Sequence, residues 1–294
     1  MFLWEKYHIA INTTDALQAL AGAAGPARLV AGGTDLLLDL QQGRCPPVHT
    51  LVDVTRCAEL TCLEVRGKRL FIGAAIPLSQ LVASPLVQGH AQALWEACGL
   101  IAGPQVRNTA TLGGNVAHAL PAGDGSIALL ALRAQAEIAS LSGIRETPLE
   151  SLFLGSGRSA LLPGQEVLVG FYIPLKAPGQ TSAFRRLMRP QGVALPILNM
   201  AAWLQWEGET LVDLALAIGP AGAVPCRAME VEKALIGKAL TEAALQEASQ
   251  ILLESVHFRT SPHRASSVYR QHLATWLLRQ TLEAAIARSD SLST

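Results

Sequence analysis

The chain has 294 residues, of which 50% are hydrophobic and 16% charged, with 23 basic residues against 23 acidic ones. That much apolar material supports a large core and excludes disorder as the main state, and at roughly 150 residues per domain the length suggests two. The neutral total gives no electrostatic case for binding a nucleic-acid backbone or an anionic membrane surface.

Asp15 to Ala24 reads as a helix with Thr13, Thr14 and Asp15 as capping candidates, and Ala27 to Ala31 as a short buried strand ending at Gly32-Gly33. Thr34 to Gln41 starts a helix after those glycines, and Val48 to Val54 is the next strand, which makes an α/β unit. From Leu60 the texture shifts to hairpins: Thr61 to Val65 and Arg69 to Ala74 flank the Arg66-Gly67-Lys68 turn. Helices near Leu78 to Val87 and Ala91 to Ile101 follow, and a glycine-rich region then leads to an apolar helix, Ile127 to Ala134. Ala136 to Leu141 and Ile144 to Pro148 pair around Ser142-Gly143, and Glu166 to Ile173 closes this part as a strand. Pro174 to Gln180, rich in Pro and Gly, is the expected domain boundary. Beyond it, Ser182 to Met188, Ile197 to Trp206 and Leu211 to Ile218 read as strands, and Glu230 to Ile236, Glu242 to Val256 and Ser266 to Ala287 as helices. The expected architecture is α+β, with one domain over 1–176, subdivided at about 1–56 and 57–176, and a second over 181–290.

The longest run without Asp, Glu, Lys or Arg, from Leu70 to Trp95, is interrupted by Pro77, Gln80, Pro85, Gln88, His90 and Gln92, so no membrane span is expected. Glu5, Lys6 and His8 stand where a secretory signal would carry its apolar core, which makes the cytoplasm the expected compartment. Cys45, Cys57, Cys62, Cys98 and Cys226 include no Cys-x-x-Cys pair, and the histidines no His-x-x-x-His pair. Reduced core cysteines are expected rather than disulfides, zinc or an iron–sulfur cluster, so no metal site is assigned and redox chemistry would fall to an organic cofactor.

Two glycine motifs carry the functional signal. In Leu29-Val30-Ala31-Gly32-Gly33-Thr34-Asp35-Leu36-Leu37 a buried strand runs into two glycines and a helix start, where successive N–H groups can converge on a phosphate. The bland alternative is an ordinary strand-to-helix turn, and Asp35 suits a phosphate site only if its carboxylate turns away. The second motif runs from Thr109 to Asp124 through Thr111, Gly113, Gly114, Asn115 and His118, and reads as a second cradle in which Asp124 accepts from ribityl or ribose hydroxyls. Two separated Gly-Gly loops suit a long dinucleotide, but neither matches the Gly-x-Gly-x-x-Gly fingerprint or the Walker lysine motif. His118 either contacts the cofactor or satisfies a buried carbonyl, and is not read as a general base. His257, Arg259, His263 and Arg264 read as a solvated link between helices or a subunit contact. Ser156 lacks the nucleophile-elbow context, and Trp203 and Trp206 fit strand packing. No catalytic side chain is assigned.

Three runs, Ala31 to Leu37, Ile101-Ala102-Gly103-Pro104-Gln105-Val106-Arg107-Asn108 and Thr111 to Asp124, resemble in order and separation the FAD-binding subunit of the xanthine dehydrogenase and carbon monoxide dehydrogenase family of molybdenum hydroxylases. The similarity covers nearly the whole chain, because the tail after Thr181 resembles that family's carboxy-terminal flavoprotein domain. The resemblance implies FAD bound in a fold of the vanillyl-alcohol-oxidase and p-cresol-methylhydroxylase type, with two α/β subdomains and an α+β carboxy-terminal domain. It places Leu29, Val30, Ala31, Gly32, Gly33, Thr34, Asp35 and Leu36 around the diphosphate, and has Thr111, Gly113, Gly114 and Asn115 complete that cradle beside His118. Asp124 would bind the sugar-alcohol portion, Ile101 with Ala102 would face the flavin ring, Leu168 would make an apolar contact, and Arg185 would stand where the family often has Lys. The chain departs from the pattern at Arg185, at Leu120 in place of Ser, and in the segment Arg189 to Pro196, which lacks an acidic residue. The implied function is electron transfer: a molybdenum-cofactor subunit oxidises an organic substrate, an iron–sulfur subunit relays the electrons, and FAD here passes them on, to NAD in preference to oxygen. The alternatives are a self-contained FAD oxidase and a non-enzymatic assembly subunit with an empty flavin site.

Overall fold

Alternation of apolar residues over short runs, broken by glycine turns, builds three sheets, which a computed structural model describes over residues 3–189, 195–262 and 264–290. In chain order the elements begin with β1 (Trp4–Ile9), α1 (Thr13–Ala21), β2 (Ala27–Val30), α2 (Leu36–Gln41) and β3 (Val48–Asp53). They form a three-stranded parallel sheet in the order β1-β3-β2, so β2 is an edge and its carboxyl end opens directly into Gly32-Gly33. Strand β1 was not anticipated, because its burial lacks a clean alternation. The cap of α1 is Asn12 rather than Thr13, Thr14 or Asp15: its side chain accepts from the Asp15 N–H at 2.8 Å.

The second sheet is antiparallel, in the order β4-β5-β10-β6-β7, from β4 (Leu63–Arg66), β5 (Arg69–Gly73), β6 (Gln135–Ser140), β7 (Gly143–Pro148) and β10 (Glu166–Pro174). A two-stranded ribbon, β8 (Phe153–Gly155) with β9 (Arg158–Ser159), lies between β7 and β10 in sequence. Between β5 and β6 run α3 (Leu78–Ala83), α4 (Pro85–His90), α5 (Gln92–Leu100), α6 (Pro104–Arg107), α7 (Leu112–Ala117) and α8 (Asp124–Ala131). The helix expected over Leu78 to Val87 divides at Ser84, whose hydroxyl accepts from the Val87 N–H at 3.3 Å with Pro85 at the first helical position. Helix α8 starts three residues earlier than expected and is buried at every position, as a helix apolar all round should be. Its Ile127 and Leu129 join Leu70, Ile72, Leu94 and Val116 in one core, each side chain contributing about 1.5–3 kcal/mol by leaving water.

The third sheet is antiparallel, β11-β12-β13-β14, from β11 (Gln180–Leu187), β12 (Leu198–Glu207), β13 (Thr210–Gly219) and β14 (Cys226–Arg227). Period-two alternation gives it two apolar faces. Phe184, Ala201 and Ala217 pack into the core shared with α5 and α8. Ala183, Ala202 and Leu216 face α9 (Met229–Leu235), α10 (Glu242–Ser255) and α11 (Ser267–Asp290). Because β12 and β13 lie against α8, the third sheet is the wall on which the second glycine motif is seated.

Candidate functional site

The first motif leaves β2 through Val30, whose carbonyl accepts from the Val54 N–H at 3.0 Å, and turns at Gly33, where φ is +67°. A residue with a Cβ would be strained there. Leu37 N–H closes the first helical turn on the Gly33 carbonyl at 2.9 Å. Among the described residues no hydrogen bond takes the backbone N–H of Gly32, Gly33, Thr34, Asp35 or Leu36. Asp35 is exposed and its side chain caps nothing. Five successive unpaired donors at the head of a helix form a nest for an anion, with Asp35 turned out of the way.

The second motif is joined to the first backbone to backbone. A Cβ on Gly32 would sit 2.1 Å from the Thr109 carbonyl oxygen and 2.8 Å from the Ala110 Cα, so only glycine permits this approach. Beyond that junction the second motif is helical where the sequence suggests a glycine loop. Thr111 to Asn115 is the capped start of α7, and three of its N–H groups, those of Gly113, Gly114 and Asn115, are taken within the protein. Gly113 donates to the Ala74 carbonyl at 2.8 Å, Gly114 to the Thr111 hydroxyl at 3.1 Å and Asn115 to the Thr111 carbonyl at 3.1 Å. Gly113 is a packing residue, since a Cβ there would meet Ala74 at 2.5 Å, whereas Gly114 is exposed. Asn115 Oδ1 accepts from the Ser126 N–H at 3.3 Å, tying α7 to α8. His118 ends α7 half-buried, and no hydrogen bond of its ring is found among the described residues.

Ile101 and Ala102 form a strained corner. Ala102 has φ +47°, and Arg107 Nη1 holds the turn by donating to the Ile101 carbonyl at 2.9 Å and the Ala102 carbonyl at 2.6 Å. Ile101 is half-buried against the main core. Leu168, 6% exposed, is a core residue of β10 at the edge of a bulge before Gly170.

Asp124 opens α8, the end of a helix that favours a carboxylate, and its side chain is 5% exposed. Both oxygens are engaged: Oδ2 accepts from Arg186 Nη1 at 2.6 Å and Oδ1 from Asn199 Nδ2 at 2.6 Å. Burial pushes the carboxyl above its ordinary value, and the Arg186 charge with the two hydrogen bonds opposes that. Arg186 Nε, Asn199 Oδ1 and Ser126 Oγ remain buried without partners around this pair. Arg185, the neighbouring residue on β11, has its Nη1 donating to Glu96 Oε1 at 3.2 Å and to the Phe184 carbonyl at 2.8 Å. Glu96 also accepts from the Phe184 N–H at 2.8 Å and from Arg288, so Arg185 is part of a clasp on α5. The cation at the second motif is therefore Arg186, and strand alternation explains it, because Arg186 shares the inner face of β11 with Phe184. Asn199, fully buried on β12, was also missed; no short-range pattern marks it. Of the segment Arg189 to Pro196, residues 190–194 lie outside the described residues, as does His263.

The model of the "FAD binding domain in molybdopterin dehydrogenase" matches residues 4–176, and that of the "CO dehydrogenase flavoprotein C-terminal domain" matches residues 182–285. The chain is 32% identical over 290 residues to a xanthine dehydrogenase FAD-binding subunit of Escherichia coli O157:H7, covering 98% of each. It is 30% identical to the carbon monoxide dehydrogenase medium chain of Hydrogenophaga pseudoflava, covering 96% of this chain and 97% of that one. A solved structure of the Hydrogenophaga pseudoflava carbon monoxide dehydrogenase superposes with a TM-score of 0.90 at 30% identity, over 96% of this chain and 97% of the other. Quinoline 2-oxidoreductase from Pseudomonas putida 86 superposes with a TM-score of 0.88 at 27% identity, over 97% of both chains.

Proposed function

The chain belongs to the FAD-binding subunits of the molybdenum hydroxylases, the family of xanthine and carbon monoxide dehydrogenases, and from that premise we propose that it links an iron–sulfur partner to a soluble electron acceptor. It is an oxidoreductase subunit and its cofactor is FAD. FAD, when bound, supplies the capacity to take electrons singly and to release them as a hydride or stepwise.

The observation that carries the reading is the run of unpaired N–H groups from Gly32 to Leu36, which fits a diphosphate. In this reading those donors, with Leu29, Val30 and Ala31 behind them, hold the diphosphate. Thr111, Gly113, Gly114 and Asn115 shape the wall beside it, with His118 at the end of that wall. The corner at Ile101 and Ala102 presents an apolar side chain to the ring, and Leu168 backs it from the core. Asp124 accepts from the sugar-alcohol hydroxyls, with Arg186 rather than Arg185 as the neighbouring cation and the orphaned atoms on Arg186 and Asn199 as further polar partners. Residues 4–176 and 182–285 act as a cofactor-holding unit and a covering unit.

The partners in this proposal are an iron–sulfur subunit and a molybdenum-cofactor subunit, and the acceptor is NAD. Co-expression with those subunits should give one complex by size-exclusion chromatography with light scattering, with one FAD released per copy of this chain. After anaerobic reduction, stopped-flow mixing with NAD should reoxidise the flavin faster than oxygenated buffer does. A free monomer that turns over an organic substrate unaided would instead establish a self-contained oxidase, and a colourless protein that ignores added FAD would establish an assembly subunit. Reoxidation by oxygen but not NAD would remove the acceptor assignment alone.

A further inference from the structure

Of the two readings open for the stretch around Arg259 and Arg264, a solvated link or a subunit contact, the first fits the arginines poorly, because both are half-buried. Arg270, in the first turn of α11, is fully buried, and it is the largest fully buried side chain of the protein among the described residues. Its Nη1 donates to the Pro220 carbonyl, but Nε and Nη2 have no partner. Arg259 and Arg264 are half-buried beside it, and Arg259 Nε is likewise buried and unpaired. Among the described residues no carboxylate forms an ion pair with any of the three. Burial first, and then the neighbouring guanidiniums, hold Arg264 and Arg270 below the usual arginine value. Arg270 also stands at the positive end of a helix of 24 residues, the wrong end for a cation.

Three guanidiniums with no carboxylate partner among the described residues, one of them fully buried with two donor nitrogens unpartnered, are an arrangement that an anion completes. We propose that Arg259, Arg264 and Arg270 form a binding site for a phosphate-type oxyanion, separate from the diphosphate cradle. Planar N–H forks match tetrahedral oxyanions, whose several oxygens can accept from more than one of these neighbouring guanidiniums. The site is coupled to the second motif through one turn. Pro220, whose carbonyl Arg270 holds, follows Gly219, and a Cβ on Gly219 would lie 2.2 Å from the Pro121 carbonyl oxygen, three residues before Asp124. Arg259 N–H also donates to the Ala221 carbonyl at 3.1 Å, so two of the three arginines grip the same turn.

The test is isothermal titration of the flavin-loaded full chain with inorganic phosphate, and separately with ADP, against chloride at matched ionic strength. Flavin loading keeps the diphosphate cradle from contributing. One phosphate site is expected, weakened about tenfold to a hundredfold in Arg259→Gln and in Arg264→Gln, and lost in Arg270→Met, with flavin content unchanged throughout. Should Arg270→Met not fold, the two Gln variants decide. Tighter binding of ADP than of phosphate, sensitive to the same substitutions, identifies a nucleotide phosphate as the source; equal binding identifies a free oxyanion. No phosphate heat above chloride, or phosphate and ADP binding that the variants leave unchanged, overturns the proposal.

Discussion

Replacing Gly32 by Ala should separate cofactor binding from the rest of the fold. The added Cβ would lie 2.1 Å from the Thr109 carbonyl oxygen and 2.7 Å from its carbonyl carbon, with the first distance roughly 1 Å short of an ordinary carbon–oxygen contact. Both partners are backbone, so no rotamer change relieves the clash and the two motifs must part. Overpacking of this kind costs about 1–3 kcal/mol of stability. The larger effect falls on the flavin, because parting the motifs swings the N–H groups of Gly32 to Leu36 away from the diphosphate. Losing two hydrogen bonds to a charged group, at about 1.5–3 kcal/mol each, weakens FAD by about 3–6 kcal/mol, or roughly a hundredfold to ten-thousandfold. Flavin fluorescence quenching on titration into the apoprotein measures the affinity, and far-ultraviolet circular dichroism checks the fold. FAD binding in Gly32→Ala at wild-type affinity would refute the argument that this glycine junction sets the cradle.

Gly114→Val should leave the apoprotein's melting temperature within about 2 °C of wild type, because a Cβ there meets only the Thr111 hydroxyl at 3.1 Å, while released-flavin absorbance falls because the exposed side of α7 forms the wall beside the proposed cradle; undiminished flavin or a large loss of apo stability would refute that placement. Asp124→Ala should cost about 3–5 kcal/mol in urea denaturation by leaving the Arg186 guanidinium buried and unpaired, and the double change Asp124→Leu with Arg186→Met should cost less; a double variant worse than the single one would count against an ion-pair role. Acidification should weaken the Arg133–Asp213 link, which joins the turn after α8 to β13 through two bonds of 2.6 Å. The Arg133 hydrogen bond holds the Asp213 carboxyl below its ordinary value, so its stabilisation is complete above the unfolded value near about 3.9 and disappears as pH falls through the folded one. Half-exposed and screened, it contributes at most about 1 kcal/mol, and Asp213→Asn should remove that share of the acid dependence in denaturation curves taken on either side of pH 4.

What the sequence made legible follows from how locally each feature is determined. The strand into Gly32-Gly33 and the helix after it were readable because apolar run, glycine pair and helix start are contiguous, and the nest of N–H groups is a property of that one turn. Thr111 to Asn115 was misread as an open loop because Gly113 and Gly114 disfavour a helix on propensity; tertiary contact with Ala74 and the Thr111 cap override that preference. Arg185 and Arg186 are adjacent in sequence, and choosing between them required knowing which face of β11 turns toward α5 and Asp124. Asn199 and the arginines at 259, 264 and 270 could not be placed without the third sheet, since each acts on a residue at least thirty-eight positions away or on a neighbour across a buried turn.

The two glycine motifs thus divide their work physically. In the proposed reading the first offers its unpaired backbone donors to a diphosphate; the second, with the N–H groups of Gly113, Gly114 and Asn115 taken, provides surface, closeness and, through Asp124, a buried charge. That charge is held by Arg186 of β11 and Asn199 of β12, so the sugar-alcohol end of the proposed site depends on the third sheet lying on α8. Removing that sheet would leave Asp124 without its partners and expose the faces of α5 and α8 that Phe184, Ala201 and Ala217 now cover. On the proposed reading the covering unit is accordingly part of the cofactor site, and the proposed oxyanion site, gripping the Pro220 turn, lies one backbone contact from the motif that Asp124 ends.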